Sequence, residues 1–209
     1  MTLSRPGLTA KIRPYRAGDW AAVYDVCIET GNAGQGVRGR YSTDDLLPDI
    51  FAGPYLYLEP GHAYVLDNGE RAVGYIIGTA STPDFVAAYE ERWLPRLRTR
   101  YQPLSRPPVT EEEHRLDVMF HPKRWVLPEL APHPAHLHIN LLADYRRSGH
   151  GQALISTFLA SVAAAGAASC YLAVRQVNVN ARRFYERLGW RPIEVRGAEP
   201  GTYLVHPTR

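Results

Sequence analysis

The run His136-Leu137-His138-Ile139-Asn140-Leu141-Leu142-Ala143-Asp144-Tyr145-Arg146-Arg147-Ser148-Gly149-His150-Gly151-Gln152 joins an apolar strand to a glycine loop that opens a helix. A chain built this way must turn from strand to helix between Arg146 and Gly151. There Gly149 and Gly151 let the backbone approach an anion without Cβ obstruction, and the first helical amides point outward unpaired. Arg146 and Arg147 add positive charge at the same place. The helix itself is legible in Leu154, Ile155, Phe158, Leu159 and Val162, which recur at helical spacing, and Gly166 stands where a C-terminal cap belongs.

Two familiar phosphate loops do not fit these residues. A dinucleotide fingerprint needs a further glycine where Leu154 stands, and a Walker loop needs Gly-Lys-Ser/Thr after four intervening residues. An ordinary strand-to-helix turn would also place two glycines here, so the downstream sequence has to decide. After the short apolar strand Cys170-Tyr171-Leu172-Ala173-Val174 comes a second amphipathic helix. Asn178 is its N-cap, Ala181, Phe184, Tyr185 and Leu188 form its apolar face, and Gly189 ends it. Taken alone, Tyr185 on that stripe is a core aromatic.

The pattern Arg/Gln-x-x-Gly-x-Gly/Ala at Arg146–Gly151 resembles motif A of the GCN5-related N-acetyltransferase (GNAT) superfamily. Asn178-x-x-Ala181-x-x-Phe184-Tyr185-x-x-x-Gly189-Trp190 resembles its motif B. The resemblance implies an α/β (α+β) fold with a mixed central sheet, splayed at the motif A strand and flanked by helices. It also implies acetyl-coenzyme A as cosubstrate, with no metal. Its binding residues would be the backbone of Leu141, Leu142 and Ala143, the loop Arg146, Arg147, Ser148, Gly149, His150, Gly151 and Gln152, and Asn178, Arg183 and Tyr185 of motif B. In the superfamily a bulge opens the motif A strand, a freed amide, here at Leu141, polarises the thioester carbonyl, and the tyrosine at position 185 hands a proton to the departing thiolate.

A closer resemblance, from about Lys11 to Glu194, is to the acetyltransferase-like domain of O-GlcNAcases and its free-standing bacterial relatives. It is carried by Gly53-Pro54-Tyr55-Leu56-Tyr57-Leu58-Glu59-Pro60, by the helix Ala88–Arg98 and by His136–Leu142. Members of that group often carry an acidic residue where this chain has Asn140, and a proline where it has Ala143. An acidic role at position 140 is therefore lost.

An acceptor amine is protonated at neutral pH, so a base must stand near the acetyl group. His136, His138 and Asn140 share one face of the strand by alternation, and His138 is the candidate base. A bulge would shift the alternation, which leaves open the face that meets the substrate; the same histidines could instead bond within the sheet. No metal-ligand spacing joins them to His133. Asp84 and Asp117 could meet a cationic acceptor, or serve only the helix starts near them. Two functional classes follow. One is an N-acetyltransferase acting by direct attack of a primary amine in a ternary complex, since neither motif contains a cysteine. The other is a non-catalytic module that senses acetyl-coenzyme A or binds proteins. The acceptor stays open among arylamines, aminosugars, amino acids, protein lysines and peptide N-termini.

From the start, a strand at Ala10–Pro14 leads to a helix from about Ala17 to Thr30 closed by Gly31, then a glycine-rich loop over 32–41. Ser42 is the expected cap of a short helix ending near Gly53-Pro54. Ala63–Leu66 and Ala72–Thr79 form a hairpin around Asp67-Asn68-Gly69. Residues from about 82 to 134 are an insertion before the motif A strand. In it Phe85, Val86, Tyr89, Trp93, Leu94 and Leu97 describe a long amphipathic helix, and Thr110-x-x-Glu113 a capping box for a second. The insertion reads as a cover over the acceptor site, with a dimerising appendage as the alternative; a homodimer is thus an open expectation. All 209 residues are expected to form one domain.

No apolar run approaches a membrane span, and Cys27 and Cys170 lack metal spacing, so a reducing cytoplasm is expected. A formal charge of +3, with acids interleaved among the arginines of the insertion, argues against nucleic acid as a partner. Only Lys11 and Lys123 are lysine, an arginine bias typical of bacterial coding sequences of high GC content.

Overall fold

The computed structural model describes residues 9–196 and 201–209. Its strands are β1 (Lys11–Pro14), β2 (Tyr64–Asp67), β3 (Ala72–Thr79), β4 (Ala135–Leu141), β5 (Ser169–Val174), β6 (Arg191–Ile193) and β7 (Thr202–Pro207), and its helices are α1 (Trp20–Gly34), α2 (Leu46–Phe51), α3 (Gly53–Leu58), α4 (Thr82–Ala88), α5 (Leu94–Leu97), α6 (Glu111–Phe120), α7 (His150–Ala164) and α8 (Val179–Arg187). The strands make one mixed sheet in the order β1-β2-β3-β4-β5-β7-β6. Every neighbour is antiparallel except β4 and β5, which run parallel.

Alternation along the strands sorts the core into two layers. Val65, Tyr75 and Ile77 point to the face covered by α1, α2, α3 and the segment 82–134, whereas Leu66, Ile76 and Leu137 point to the face covered by α7 and α8. All of β3 is buried, as a central strand between two helical layers must be.

The expected first helix is present, and its end is sharper than a simple cap. Helical geometry stops at Gly31, and Asn32 and Ala33 take positive φ values of 49° and 58°. Ser42 does not cap a helix. Its hydroxyl and amide bind the carboxylate of Glu112 in α6, and α2 begins only at Leu46. Gly53-Pro54 opens α3 instead of closing its predecessor, with the proline in the first turn where its missing N–H costs nothing. A side chain at Gly53 would collide with the Tyr24 hydroxyl and the Trp93 ring.

The long helix expected after Pro83 breaks into α4, a π-helical turn at Tyr89–Trp93, and α5. Pro95 explains the break: it lacks the amide for an i→i−4 bond, and its ring displaces the carbonyl of Glu91. The wider turn brings Trp93 against Trp20 and lets its indole N–H reach the Asp49 carbonyl at 2.9 Å. The capping box at Thr110 and Glu113 is formed as expected.

Segment 82–134 is more than a cover. Phe85, Tyr89, Trp93, Leu94, Leu97, Val118 and Met119 are core residues continuous with those of α1, α2 and α3. No helix among the described residues is long and apolar enough to cross a membrane.

Candidate active site

Strands β4 and β5 pair only at Ala135↔Cys170 and His136↔Tyr171, then diverge. The expected splay is there, but the expected bulge in β4 is not. Its register with β3 runs unbroken from Thr79↔His136 to Gly74↔Leu141, and the irregularity in this part of the sheet lies between β2 and β3, at Leu66/Asp67. The alternation therefore holds. The Leu142 amide donates to Val73 O at 3.0 Å, so every second residue back along β4, Asn140, His138 and His136, turns its backbone groups toward β3. Leu141 and Ile139 turn theirs into the gap facing β5. Leu142, expected to offer its backbone to the coenzyme, has its amide engaged with β3, and Ala143 begins a 3-10 turn whose carbonyl accepts from the Arg146 amide. Of the residues near Leu141, it is Ile139 and not Leu142 whose backbone is free of β3.

At the end of the gap stands the N-terminus of α7. Gly149 is its N-cap at φ 84° and supplies no side-chain cap, which leaves the amides of the first turn, His150 to Gln152, without helical partners. Arg147 is also left-handed, at φ 62°. Arg146 donates from Nε to Leu141 O at 2.8 Å and lies against Gly34, so the end of α1 and the loop meet across the mouth of the gap. Arg175 joins them by donating to Asn32 Oδ1 at 3.0 Å. Ser148 instead turns inward, donating to Tyr145 O.

From the β5 side, α8 brings up the motif B residues. The Asn178 side chain caps α8 by accepting from the Ala181 amide, and Arg183 is exposed on the cleft wall. Tyr185 is 8% exposed and lines the cleft, its hydroxyl making no hydrogen bond among the described residues. Burial, then the neighbouring Cys170 thiol, raises its pKa well above that of an ordinary phenol, so it keeps its proton. Phe184 packs over Gly151, where a Cβ would come within 3.2 Å of the ring.

Toward the α1–α3 layer the cleft is lined by Leu47, Phe51, Val118, Trp125 and Leu127, with Arg115 and Arg124 beside them. His136 and His138 project there together, on the same side of β4. Tyr55 Oη sits 2.7 Å from His136 Nε2 and 3.0 Å from His138 Nε2, and His136 Nδ1 lies 2.7 Å from Thr82 Oγ1. Burial lowers both imidazole pKa values, His138 to about 4 and His136 well below the ordinary range, with His138 adding to the effect at His136. Both rings are neutral at pH 7. Asn140 donates to the Tyr75 hydroxyl at 2.6 Å, and Tyr75 meets the Cys27 thiol, which burial pushes up to about 12.

The whole cleft measures about 1460 Å3, beyond the roughly 300–1,000 Å3 of a site for one drug-sized molecule, so it has room for two ligands end to end. Seven arginines line it, Arg115, Arg124, Arg146, Arg147, Arg175, Arg183 and Arg187, and no Asp or Glu does among the described residues. Asp84 and Asp117, suggested above as partners for a cationic acceptor, lie outside it. Trp125 was expected only as one of the aromatic residues of the 82–134 cover, and sequence reasoning had not singled out Tyr55, Arg115 or Arg175. The only trace of Tyr55 was its place in the Gly53–Pro60 segment. The others come from loops or helix faces with no local pattern to mark them.

Comparison with known proteins bears on this geometry. The sequence model of the acetyltransferase (GNAT) family matches residues 37–190. The chain is 27% identical over 180 residues to protein O-GlcNAcase of Rattus norvegicus, an alignment covering 85% of this chain and 20% of that protein. It thus spans about a fifth of the length of the curated relatives it matches. The crystal structure of SsHAT superposes with a TM-score of 0.92 at 44% identity, over 96% of this chain and 99% of that one. The fold alone is shared with yncA of Salmonella typhimurium, solved with acetyl-CoA, at a TM-score of 0.53 and 12% identity over 96% and 94% of the two chains.

Proposed function

We propose that this chain, which belongs to the acetyltransferase (GNAT) family, transfers the acetyl group of acetyl-coenzyme A to a primary amine by direct attack within a ternary complex. The observation that carries this reading is the gap between β4 and β5, which ends on the uncapped, arginine-flanked N-terminus of α7. The pyrophosphate fits the helix end, where amides and dipole favour an anion. The pantetheine arm fits the gap as a substitute strand, pairing with the backbone of Ile139 and Leu141. One of those two amides, aimed at the thioester carbonyl, stabilises the oxyanion as it forms. Direct transfer is supported by the only cysteine among the described residues that line the cleft: Cys27 is 2% exposed and held protonated, so it is a poor acyl carrier.

His138 is the proposed base, and its depressed pKa defines the step it can perform. A free ammonium of lysine type titrates near 10.4, so an imidazole at about 4 would need about 9 kcal/mol to deprotonate it. The amine therefore enters neutral. As its nitrogen bonds to the carbonyl carbon it becomes acidic, and His138 takes the proton released. The C–S bond then breaks with Tyr185 Oη at the departing sulfur; the phenol proton passes to the thiolate as the proton held by His138 returns through water to Tyr185, so that both side chains end as they began.

The dependence of kcat/KM on pH should accordingly rise with the pKa of the amine itself and show no histidine limb between pH 6 and 7. The base form of His138 persists down to about pH 4 because its folded pKa is lowered. A limb in that interval that vanishes in His138→Gln would show His138 acting as base with an ordinary pKa and contradict its lowering, whereas an unchanged rate in His138→Gln would remove it as the base.

The decisive assay measures thiol release from acetyl-coenzyme A against a panel of amines. With an active amine found, Tyr185→Phe should lower kcat by about 100-fold where chemistry limits the rate, and leave acetyl-coenzyme A affinity unchanged. Full turnover by the variant would return Tyr185 to a packing role. Tight acetyl-coenzyme A binding with no thiol release from any amine would instead identify a non-catalytic sensor.

A further inference from the structure

The chemistry around His138 continues into the protein through a chain of hydrogen bonds whose direction is set by the proton of Thr82 at its far end. Pro134 O is a carbonyl that accepts from the Thr82 amide at 2.8 Å and has a second lone pair 3.0 Å from Thr82 Oγ1, whose other neighbour besides His136 is Tyr171 Oη at 3.4 Å. We direct the threonine proton to the carbonyl; the reverse assignment, Thr82 donating to His136 Nδ1, would invert every later step. Thr82 Oγ1 then accepts from His136 Nδ1 at 2.7 Å, which places the hydrogen of His136 on Nδ1 and leaves its Nε2 bare. The bare Nε2 takes the Tyr55 hydroxyl proton across 2.7 Å. With its only proton committed, Tyr55 Oη can only accept from His138, across 3.0 Å, so His138 carries its hydrogen on Nε2.

From this chain we infer that Tyr55, His136 and Thr82 are positioning residues that hold His138 as the Nε2–H tautomer, with Nδ1 presented bare to the cleft. The inference rests on the proposed role of His138 as proton acceptor. His138 lines the cleft, and its Nδ1 makes no hydrogen bond among the described residues and is not one of the enclosed polar atoms lacking a partner. The opposite tautomer would offer the incoming amine a donor, which cannot accept its proton. The chain also restrains the ring: Tyr55 holds one edge and Phe51 packs against it at 5.7 Å between centroids. When Nδ1 takes the amine proton, the imidazolium keeps its Nε2–H bond to Tyr55, and no other proton along the chain has to move.

The far end of the chain is the place to test it, because Thr82 is separated from His138 by two hydrogen-bonded side chains. Thr82→Val removes the hydroxyl at nearly constant shape, which frees His136 to take either tautomer and Tyr55 to reverse. Nitrogen-15 NMR of the imidazoles reports the tautomer without any need for turnover, so its outcome is independent of whether the protein is an acetyltransferase. In the unmodified protein the His138 Nδ1 signal should be that of an unprotonated ring nitrogen. In Thr82→Val the two nitrogens should shift toward a mixture, with kcat falling by about 10- to 100-fold at unchanged acetyl-coenzyme A affinity. Thr82→Ser should restore both. A protonated Nδ1 in the unmodified protein would overturn the inference, as would a Thr82→Val spectrum identical to the parent at His138.

Discussion

Gly149→Glu is expected to abolish acetyl-coenzyme A binding in a protein that still folds. Gly149 is exposed, and a Cβ built there meets no atom within 4 Å, so the new side chain has room. Its carboxylate would project at the N-terminus of α7, where the uncapped amides and Arg146 and Arg147 are proposed to receive the pyrophosphate. At about 4 Å, one unit charge against another costs about 1 kcal/mol in water and about 4 kcal/mol at the effective dielectric of a protein surface, so a loss of at least 100-fold in affinity is expected. The carboxylate would also occupy the helix amides itself, since an anion there is favourable. Backbone strain is the competing explanation, because Gly149 sits at φ 84° and any other residue there costs about 1–2 kcal/mol. Gly149→Ala carries the same strain without the charge. Calorimetry should find the alanine variant binding within about tenfold of the parent and the glutamate variant not binding. Equal losses in both would assign the effect to strain, and unchanged affinity in a folded Gly149→Glu would remove the loop from the coenzyme site.

The parts of this molecule that were legible in its sequence are those whose signals are local. The glycine loop with its following helix, the capping box at Thr110, the Asn178 cap and the hairpin each depend on residues within a few positions of one another, and each is formed. The errors have physical reasons too. Ser42 looks like a cap, but Glu112 from α6 competes for its hydroxyl and its amide, a contact across 70 positions. The bulge was carried over with the resemblance. Here the strands separate because β4 follows β3 while β5 follows β7, six register pairs holding on each side against two between β4 and β5.

The same distinction applies inside the site. His136 and His138 were visible as alternating residues on one strand, but their chemistry is decided by Tyr55 from α3 and Thr82 from the start of α4, 81 and 54 positions from His136. A histidine's unperturbed pKa suggested a base poised near neutrality. Burial depresses it instead, and in the proposed mechanism that lowering places proton transfer at the moment of bond formation and not before the attack.

Asp49→Ala is expected to destabilise the fold by about 2–4 kcal/mol, the cost of leaving two buried phenols without their acceptor. Asp49 is fully buried and accepts three hydrogen bonds: Tyr24 Oη at 2.7 Å, Tyr101 Oη at 2.8 Å and an Arg100 nitrogen at 2.7 Å. Burial raises its pKa, against the opposing pull of those donors. The sign matters for acid stability: a folded pKa above the unfolded value means that protonation favours the fold, so falling pH does not weaken this cluster through Asp49. Truncation to alanine leaves two buried phenols with no acceptor, while Arg100, nearly half exposed, can turn to water. Asp49→Asn keeps one acceptor oxygen and should lose less, a ranking that urea denaturation can read. Loss of under about 1 kcal/mol in the alanine variant would mean that the phenols find water or other partners. The cluster also explains why the segment 82–134 cannot be excised to test it as a cover. Tyr101 and Arg100 come from that segment, Tyr24 from α1, and Asp49 from α2 between the cleft residues Leu47 and Phe51. One carboxylate thus ties together the elements around the histidine side of the cleft, and point substitutions at Val118 or Trp125, which line it there, are the way to test whether this segment sets acceptor choice without opening the core.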